Sequence, residues 1–169
     1  RGLLVQCRER VLALAAPAAD RAGRSPTTLQ QVLDQWSLVR PTTDLKRNAD
    51  APLQLPLDPG IGHLLMVLLN NAADAGEQAD REQVDLSLRI EGQDLVGEVR
   101  DYGRGFDASQ PVLPGALFSS GKTQGMGVGL ALSHATIERL RGELWMRPAT
   151  GLGTRVGFRV PLANEDTPR

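Results

Sequence analysis

"ALFSSGKTQGMGVGLAL", residues 116–132, supports two incompatible readings, and the choice between them decides the fold. Its first eight residues satisfy a relaxed phosphate-loop pattern, opened by Ala116 and closed by Gly121, Lys122 and Thr123. Its second half, Gly125-Met126-Gly127-Val128-Gly129, offers a different glycine-rich approach to an anion.

A loop of the first kind must leave a buried parallel strand and enter a helix at once. Residues 108–115, "ASQPVLPG", carry two prolines and cannot form a central strand. Behind Lys122, Gly125 and Gly127 stand where that helix should grow, each at a cost of about 1 kcal/mol. The alternation of parallel strands and helices is missing elsewhere in the chain. The pattern matches and its surroundings do not. In the second reading, Gly125, Gly127 and Gly129 lead into "LALSHATIERLRG", an amphipathic helix expected from 128 to about 140 and ending at Gly142. Glycines let the backbone approach an anion closely, free amides at a helix start carry partial positive charge, and Lys122 adds a full one. On this stretch alone, a plain glycine loop without a role stays open.

Two other stretches bear on that alternative. In "VRDYGRGFD", 99–107, Asp101 follows a strand, and Gly103 and Gly105 permit a tight turn beneath a flat ligand. A buried carboxylate there suits an exocyclic amine such as that of adenine; an ordinary strand-end turn has the same composition. In "LLNNAADAG", 68–76, Asn70 and Asn71 interrupt an apolar helix. An Asn carbonyl is a hard oxygen ligand for Mg²⁺ that phosphates also hold; the alternative is two surface asparagines near a helix end.

Around these stretches, residues 3–15 have helical spacing, and Pro17, Gly23 and Pro26 then break it. Thr27 or Thr28 caps a helix to about Val39, with Leu29, Val32, Leu33 and Trp36 on one face. A short strand and a proline-punctuated connection follow. Pro59 opens a helix to about Gly76 whose apolar face is Ile61, Leu64, Leu65, Leu68, Ala72 and Ala75. Residues 84–91 alternate, with Val84, Leu86, Leu88 and Ile90 expected inward, and pair with 95–101 through a Gly92-Gln93-Asp94 hairpin. Strands "ELWMRP" and "TRVGFRVPL" close the chain around the turn Thr150–Gly153. The expected fold is α+β: a two-layer sandwich with a mixed, mostly antiparallel sheet covered by helices on one face.

At 169 residues the chain suffices for one domain, or one domain with an appendage. A net charge of −1, without like-charge runs, gives no global field for nucleic acid, and none is expected as a partner. Cys7 is the sole cysteine, so no intrachain disulfide forms, which fits a reducing cytoplasm. No apolar run approaches the roughly 18 residues of a membrane span, so no membrane contact is expected from this segment. The chain opens on Arg1 rather than Met and reads as part of a longer protein.

Taken in order, these stretches resemble the catalytic ATP-binding domain of bacterial sensor histidine kinases. "HLLMVLLNNAADAG" resembles the N box, "DYGRG" the first glycine box, "LFSSGK" the F box and lid, "GMGVGLAL" the second glycine box, and "GLGTRVGFRVPL" the final hairpin. The resemblance covers about residues 40–162 and implies the Bergerat fold shared with gyrase and MutL. It implies an ATP lid over 107–126, not a P-loop.

By that resemblance Asn71 holds Mg²⁺ and Asp101 binds the adenine amine. Gly103 and Gly105 shape the floor, Phe106 lines the base pocket, and Phe118 anchors the lid. Lys122 and the backbone of Gly125, Gly127, Val128, Gly129 and Leu130 hold the phosphates, with Thr154 supporting the adenine contact. Asp74 and Ala75 complete the N-box part of the ATP site, although Asp74 stands where relatives carry a basic residue. "NAADA" is more similar to the redox- or nitrogen-responsive kinases. Val67 stands where relatives carry Asn or Glu, and without an activating Glu a hydrolase is disfavoured.

The implied cofactors are ATP and Mg²⁺. The implied partners are a response regulator and, through an upstream helical hairpin that carries the phosphoacceptor histidine, a second copy of the chain. Residues 1–24 are expected to be the end of that hairpin and 25–169 the catalytic domain. His63 and His134 lack the acidic follower of a phosphoacceptor and are expected to be structural or solvent-facing. A cytoplasmic placement follows, with the whole protein anchored in the inner membrane. An ATP-driven switch or ATPase of the same superfamily is the alternative function, and a degenerate scaffold a third.

Overall fold

The computed structural model describes residues 27–105 and 126–162, with the backbone alone for 126–132. The expected helix over 3–15, the boundary at 24, the lid, Phe106, Phe118, Lys122 and Gly125 lie outside the described residues.

Strand β1 (Thr27–Thr28) passes directly into helix α1 (Leu29–Val39). Thr28 is the N-cap, and its side chain and that of Gln31 satisfy each other's backbone N–H groups in a capping box. The helix stops because Pro41 cannot continue it; the Arg40 N–H still reaches the Trp36 carbonyl. Leu29, Val32, Leu33 and Trp36 are buried, as their spacing implies. Strand β2 (Asp44–Ala49) leads through a proline-rich stretch to β3 (Pro56–Leu57), which pairs antiparallel with β1. That two-residue pairing has no periodicity to announce it in the sequence.

Helix α2 (Pro59–Glu77) begins with Asp58 as N-cap, accepting from the Gly60 N–H at 2.7 Å, and with proline in the first turn. Ile61, Leu64, Leu65, Leu68 and Ala72 are buried as expected. Ala75 is only half-buried; its side lies against the turn at Gly103 rather than in the core. Strands β4 (Gln83–Glu91) and β5 (Asp94–Arg100) form a hairpin whose loop is Gly92-Gln93 alone, because Asp94 already pairs with Glu91. Val84, Leu86 and Leu88 face inward, but Ile90 is 40% exposed. Its position at the hairpin end carries it past the cover of the helices.

Helix α3 (Met126–Arg139) starts two residues earlier than expected, with Gly127 and Gly129 inside it. The residue that stops it is Arg141, at φ 54°, rather than Gly142, whose N–H bonds the Ile137 carbonyl. That is the bond of a Schellman end, with arginine in the left-handed position. Strands β6 (Glu143–Pro148) and β7 (Thr154–Pro161) complete a five-stranded sheet of order β2-β4-β5-β7-β6. Among the described strands only β2 and β4 run parallel.

The inner sheet face places Leu86, Leu88, Leu95, Val99, Phe158 and Val160 against the buried faces of α1 and α2. Gly97 is needed there, since a Cβ would lie 2.3 Å from the Phe158 ring. The outer face is polar and ion-paired: Glu98 takes Arg147 and Arg155, and Arg159 takes Glu91 and Asp94. This is the two-layer α/β sandwich that the alternation implies.

Candidate functional site

Asp101 lies one residue past the end of β5 and is 8% exposed. Its Oδ1 accepts from the backbone N–H of Gly103 at 2.8 Å and of Thr154 at 3.2 Å. Burial pushes its carboxyl above the usual aspartate range, while these two N–H groups pull the other way. The result is a carboxylate with its orientation set by backbone donors on one oxygen. That is a suitable acceptor for an amine in a water-poor cleft.

Three backbone segments crowd around it. A Cβ on Gly103 would lie 2.7 Å from the carbonyl oxygen of Ala75, so helix α2 abuts the turn directly. Gly153 has φ +96°, and a Cβ there would lie 1.9 Å from the Asp101 carbonyl oxygen. Gly105, at φ +72°, sits beside the Gly153 carbonyl. Asp101, Gly103, Gly105, Ala75 and Thr154, expected at the site, are therefore brought together.

On α2 the two asparagines part company. Asn70 Oδ1 accepts from the Trp36 indole N–H at 3.1 Å and belongs to the α1–α2 packing. Asn71 lies one turn before Ala75, and its Nδ2 is buried with no hydrogen-bond partner among the described residues. A half-turn of that amide exchanges nitrogen for oxygen, so the same position can present a hard oxygen ligand. Among the described residues no group of three or more His, Cys, Asp or Glu gathers, so a cation here would rest on Asn71 and ligand oxygens. The residues fit Mg²⁺ held mainly by phosphates.

Asp74 faces elsewhere. Its carboxylate is ion-paired with Arg40, which also lies 3.6 Å from Glu77. Val67 is half-buried one turn before Asn71, on the same face. Two turns before Asn71 on α2 is His63, whose Nε2 is buried without a partner among the described residues and whose pKa is lowered by burial. His134 Nδ1 lies 3.6 Å from Glu138 at the far end of α3. A depression of about 190 Å³ lined by Arg40, Thr43 and Glu77 is on the flank of α2 turned away from Asn71, and neither Asn71 nor Asp101 lines it.

Helix α3 is fastened to α2 where Arg139 donates to Asp58 at 3.0 Å and where Gly60 lies against Thr136. The side chains of Val128 and Leu130 are not described, but both residues, with Gly127 and Gly129, lie in its first turns.

The family model described as histidine kinase-, DNA gyrase B- and HSP90-like ATPase matches residues 58–164. This chain belongs to that family. It is an ATP-binding domain of the family, and the matched segment runs from the N-cap of α2 past the end of β7. The sensor protein FixL of Bradyrhizobium diazoefficiens is 31% identical over 133 residues, which is 71% of this chain and 26% of FixL. The chain spans about a quarter of the length of that relative, and less of the sensor protein DctS of Rhodobacter capsulatus, 17%. Among solved structures, full-length ShkA in complex with AMPPNP aligns with TM-score 0.65 at 24% identity, over 94% of this chain and 35% of that one. The catalytic domain of histidine kinase ThkA aligns with TM-score 0.64 at 19% identity, over 81% of this chain and 94% of that one, so the fold is shared with that domain.

Proposed function

We propose that this domain is the catalytic half of a sensor histidine kinase, binding ATP with Mg²⁺ and delivering the γ-phosphate to a histidine upstream of Arg1. The observation that carries the reading is the Asp101 carboxylate, buried, held by two backbone N–H groups, and closed in by Gly103 and Gly153. In this reading Asp101 accepts from the adenine amine, Thr154 holds that carboxylate, and Gly103, Gly105 and Phe106 shape the base site. Asn71 supplies a protein oxygen to the metal, which would neutralise phosphate charge when bound. Lys122 and the backbone from Gly125 to Leu130 take the phosphates. Helix α3 is tied to the start of α2 at its own C-terminal end by Arg139 and Asp58, and in this reading its first turn faces the Asn71 half of α2. Its free amides then favour the anion.

Residues 1–24 are the end of the helical hairpin, through which the whole protein pairs with a second copy. The phosphorylated histidine serves a response regulator. No described helix is long and apolar enough to cross a membrane; the reading places the domain in the cytoplasm, with the anchor elsewhere in the protein.

The test is incubation with radiolabelled ATP and Mg²⁺. The 169-residue chain is expected to bind ATP and stay unlabelled, and acid-labile label is expected once the upstream hairpin is restored, because phosphoryl transfer depends on positioning. Stoichiometric label on this chain alone would make His63 or His134 the acceptor and overturn the reading.

A further inference from the structure

Tyr102 separates Asp101 from Gly103, and its side chain makes contacts on the outer sheet face. Its hydroxyl donates to Asp85 Oδ2 at 2.6 Å, while Asp85 Oδ1 accepts from the Gln83 side chain at 2.8 Å. The Arg100 guanidinium lies 4.5 Å over the centre of the Tyr102 ring, and its Nη2 donates to the Thr150 carbonyl at 3.1 Å. Asp85 and Arg100 are direct partners across β4 and β5. This line of contacts therefore ties down both segments that hold the Asp101 carboxylate: the turn at 101–103 and the turn at 149–153 that precedes Thr154.

The turn at 101–103 needs such a fastening. Strand β5 ends at Arg100, so no ladder of strand bonds positions residues 102 and 103. Their inner-face contacts are those of Asp101 and the packing of Gly103 against Ala75. A hydroxyl held by a strand-borne carboxylate sets the pitch of that turn from outside. The Asp85 hydrogen bond, with burial adding to it, also raises the Tyr102 pKa, so the phenol stays a neutral donor.

We propose that Tyr102 and Asp85 are positioning residues for base selection: their hydrogen bond aims the Asp101 carboxylate at the exocyclic amine of the nucleotide. The proposal rests on the reading of Asp101 as the adenine acceptor. It differs from a fastening that only stabilises the fold, because a misaimed carboxylate loses discrimination between bases while the phosphate contacts persist.

The experiment uses the 169-residue chain, with ATP and GTP each competing against a fluorescent nucleotide and with thermal midpoints recorded in parallel. Tyr102→Phe keeps the ring beneath Arg100 and deletes only the hydroxyl. Loss of one such bond is expected to weaken ATP about three- to tenfold. GTP affinity is expected to stay near the parent's, so the ATP-over-GTP preference contracts by the same factor. Asp85→Ala is expected to match Tyr102→Phe, the pair together to lose no more than either alone, and Asp85→Asn, which keeps an acceptor, to restore most of the preference. A folded Tyr102→Phe variant with the parent's preference, or one weakened equally toward both nucleotides, overturns the proposal. Asp101→Asn separates the two levels. If it weakens ATP and Tyr102→Phe does not, the positioning role alone falls; if neither does, the adenine reading falls with it. Should Tyr102→Phe fail to fold, the comparison of Asp85→Ala with Asp85→Asn decides the same question.

Discussion

Asp101 and Thr154, 53 residues apart, hold each other twice: the Asp101 N–H donates to the Thr154 carbonyl at 3.0 Å, and the Thr154 N–H donates back to Asp101 Oδ1 at 3.2 Å. The carboxylate is thus part of the sheet end and cannot swing away from the cleft. Asp101→Asn replaces a charged acceptor by an amide at a site whose donors are fixed. ATP binding is expected to weaken by about 1.5–3 kcal/mol. Calorimetric titration of the folded variant checks this; unchanged affinity removes Asp101 from the site.

The same residue gives a stability prediction of opposite sign. Burial raises the Asp101 pKa in the folded chain, so the folded state binds that proton more tightly than the unfolded state does. Its contribution is present below the ordinary aspartate range and is lost as pH rises through the folded-state value. Asp101→Asn, with no charge to bury, is expected to unfold at a higher temperature than the parent at neutral pH, the advantage shrinking on acidification. A neutral-pH midpoint below the parent's contradicts this.

Gly151 and Gly153 distinguish backbone strain from collision. Both have positive φ, +91° and +96°, but a Cβ on Gly151 meets nothing within 4 Å, whereas one on Gly153 meets the Asp101 carbonyl oxygen. Gly151→Ala is expected to cost about 1–2 kcal/mol from conformation alone. Gly153→Ala is expected to cost more and to weaken ATP binding, since Asp101 must shift. Equal thermal midpoints for the two variants would show that the turn relaxes freely.

For Asn71 the informative variable is Mg²⁺. Asn71→Ala deletes the oxygen ligand and is expected to abolish the Mg²⁺-dependent part of ATP affinity while Mg²⁺-free binding persists. Asn71→Asp keeps an oxygen and is expected to retain a Mg²⁺ response. If titrations with and without Mg²⁺ show the parent's response in both variants, the metal is held elsewhere.

His63 is expected to make the fold acid-sensitive. Its pKa is lowered by burial from 6.5, so the unfolded chain takes the proton more readily. The neutral ring's contribution is complete above that ordinary value and is lost as pH falls through the interval down to the folded-state value. His63→Gln is expected to flatten the decline in denaturant midpoint between neutral pH and pH about 5. A parent and variant that decline in parallel would exclude His63 as the source.

Much of this domain was legible in local patterns. The faces of α1 and α2, the β4–β5 hairpin and the final strand pair followed from periods of 3.6 and 2, because burying one face of an element imposes that period whatever lies across from it. Ile90 broke the pattern since periodicity says which side a residue faces, not how far the covering layer extends. Asp101, Asn71 and the glycines stood out by residue type, as ligand-facing polar groups amid apolar runs.

What the local pattern does not carry is which segments meet. The parallel pairing of β2 with β4 skips α2, and the placing of β7 beside β5 is what brings Thr154 to Asp101. Nothing in "NN" distinguishes Asn70 from Asn71; that difference arises when Trp36 occupies the first and leaves the second. Nothing beside Asp74 announces Arg40, nor beside Tyr102 its hydroxyl bond to Asp85. The sequence by itself determined the longer elements, most of their buried faces and the chemical kinds of the site residues. The tertiary structure alone decided their partners, because a hydrogen bond or ion pair between distant residues depends on strand order and helix placement, which are set by closing the whole core at once.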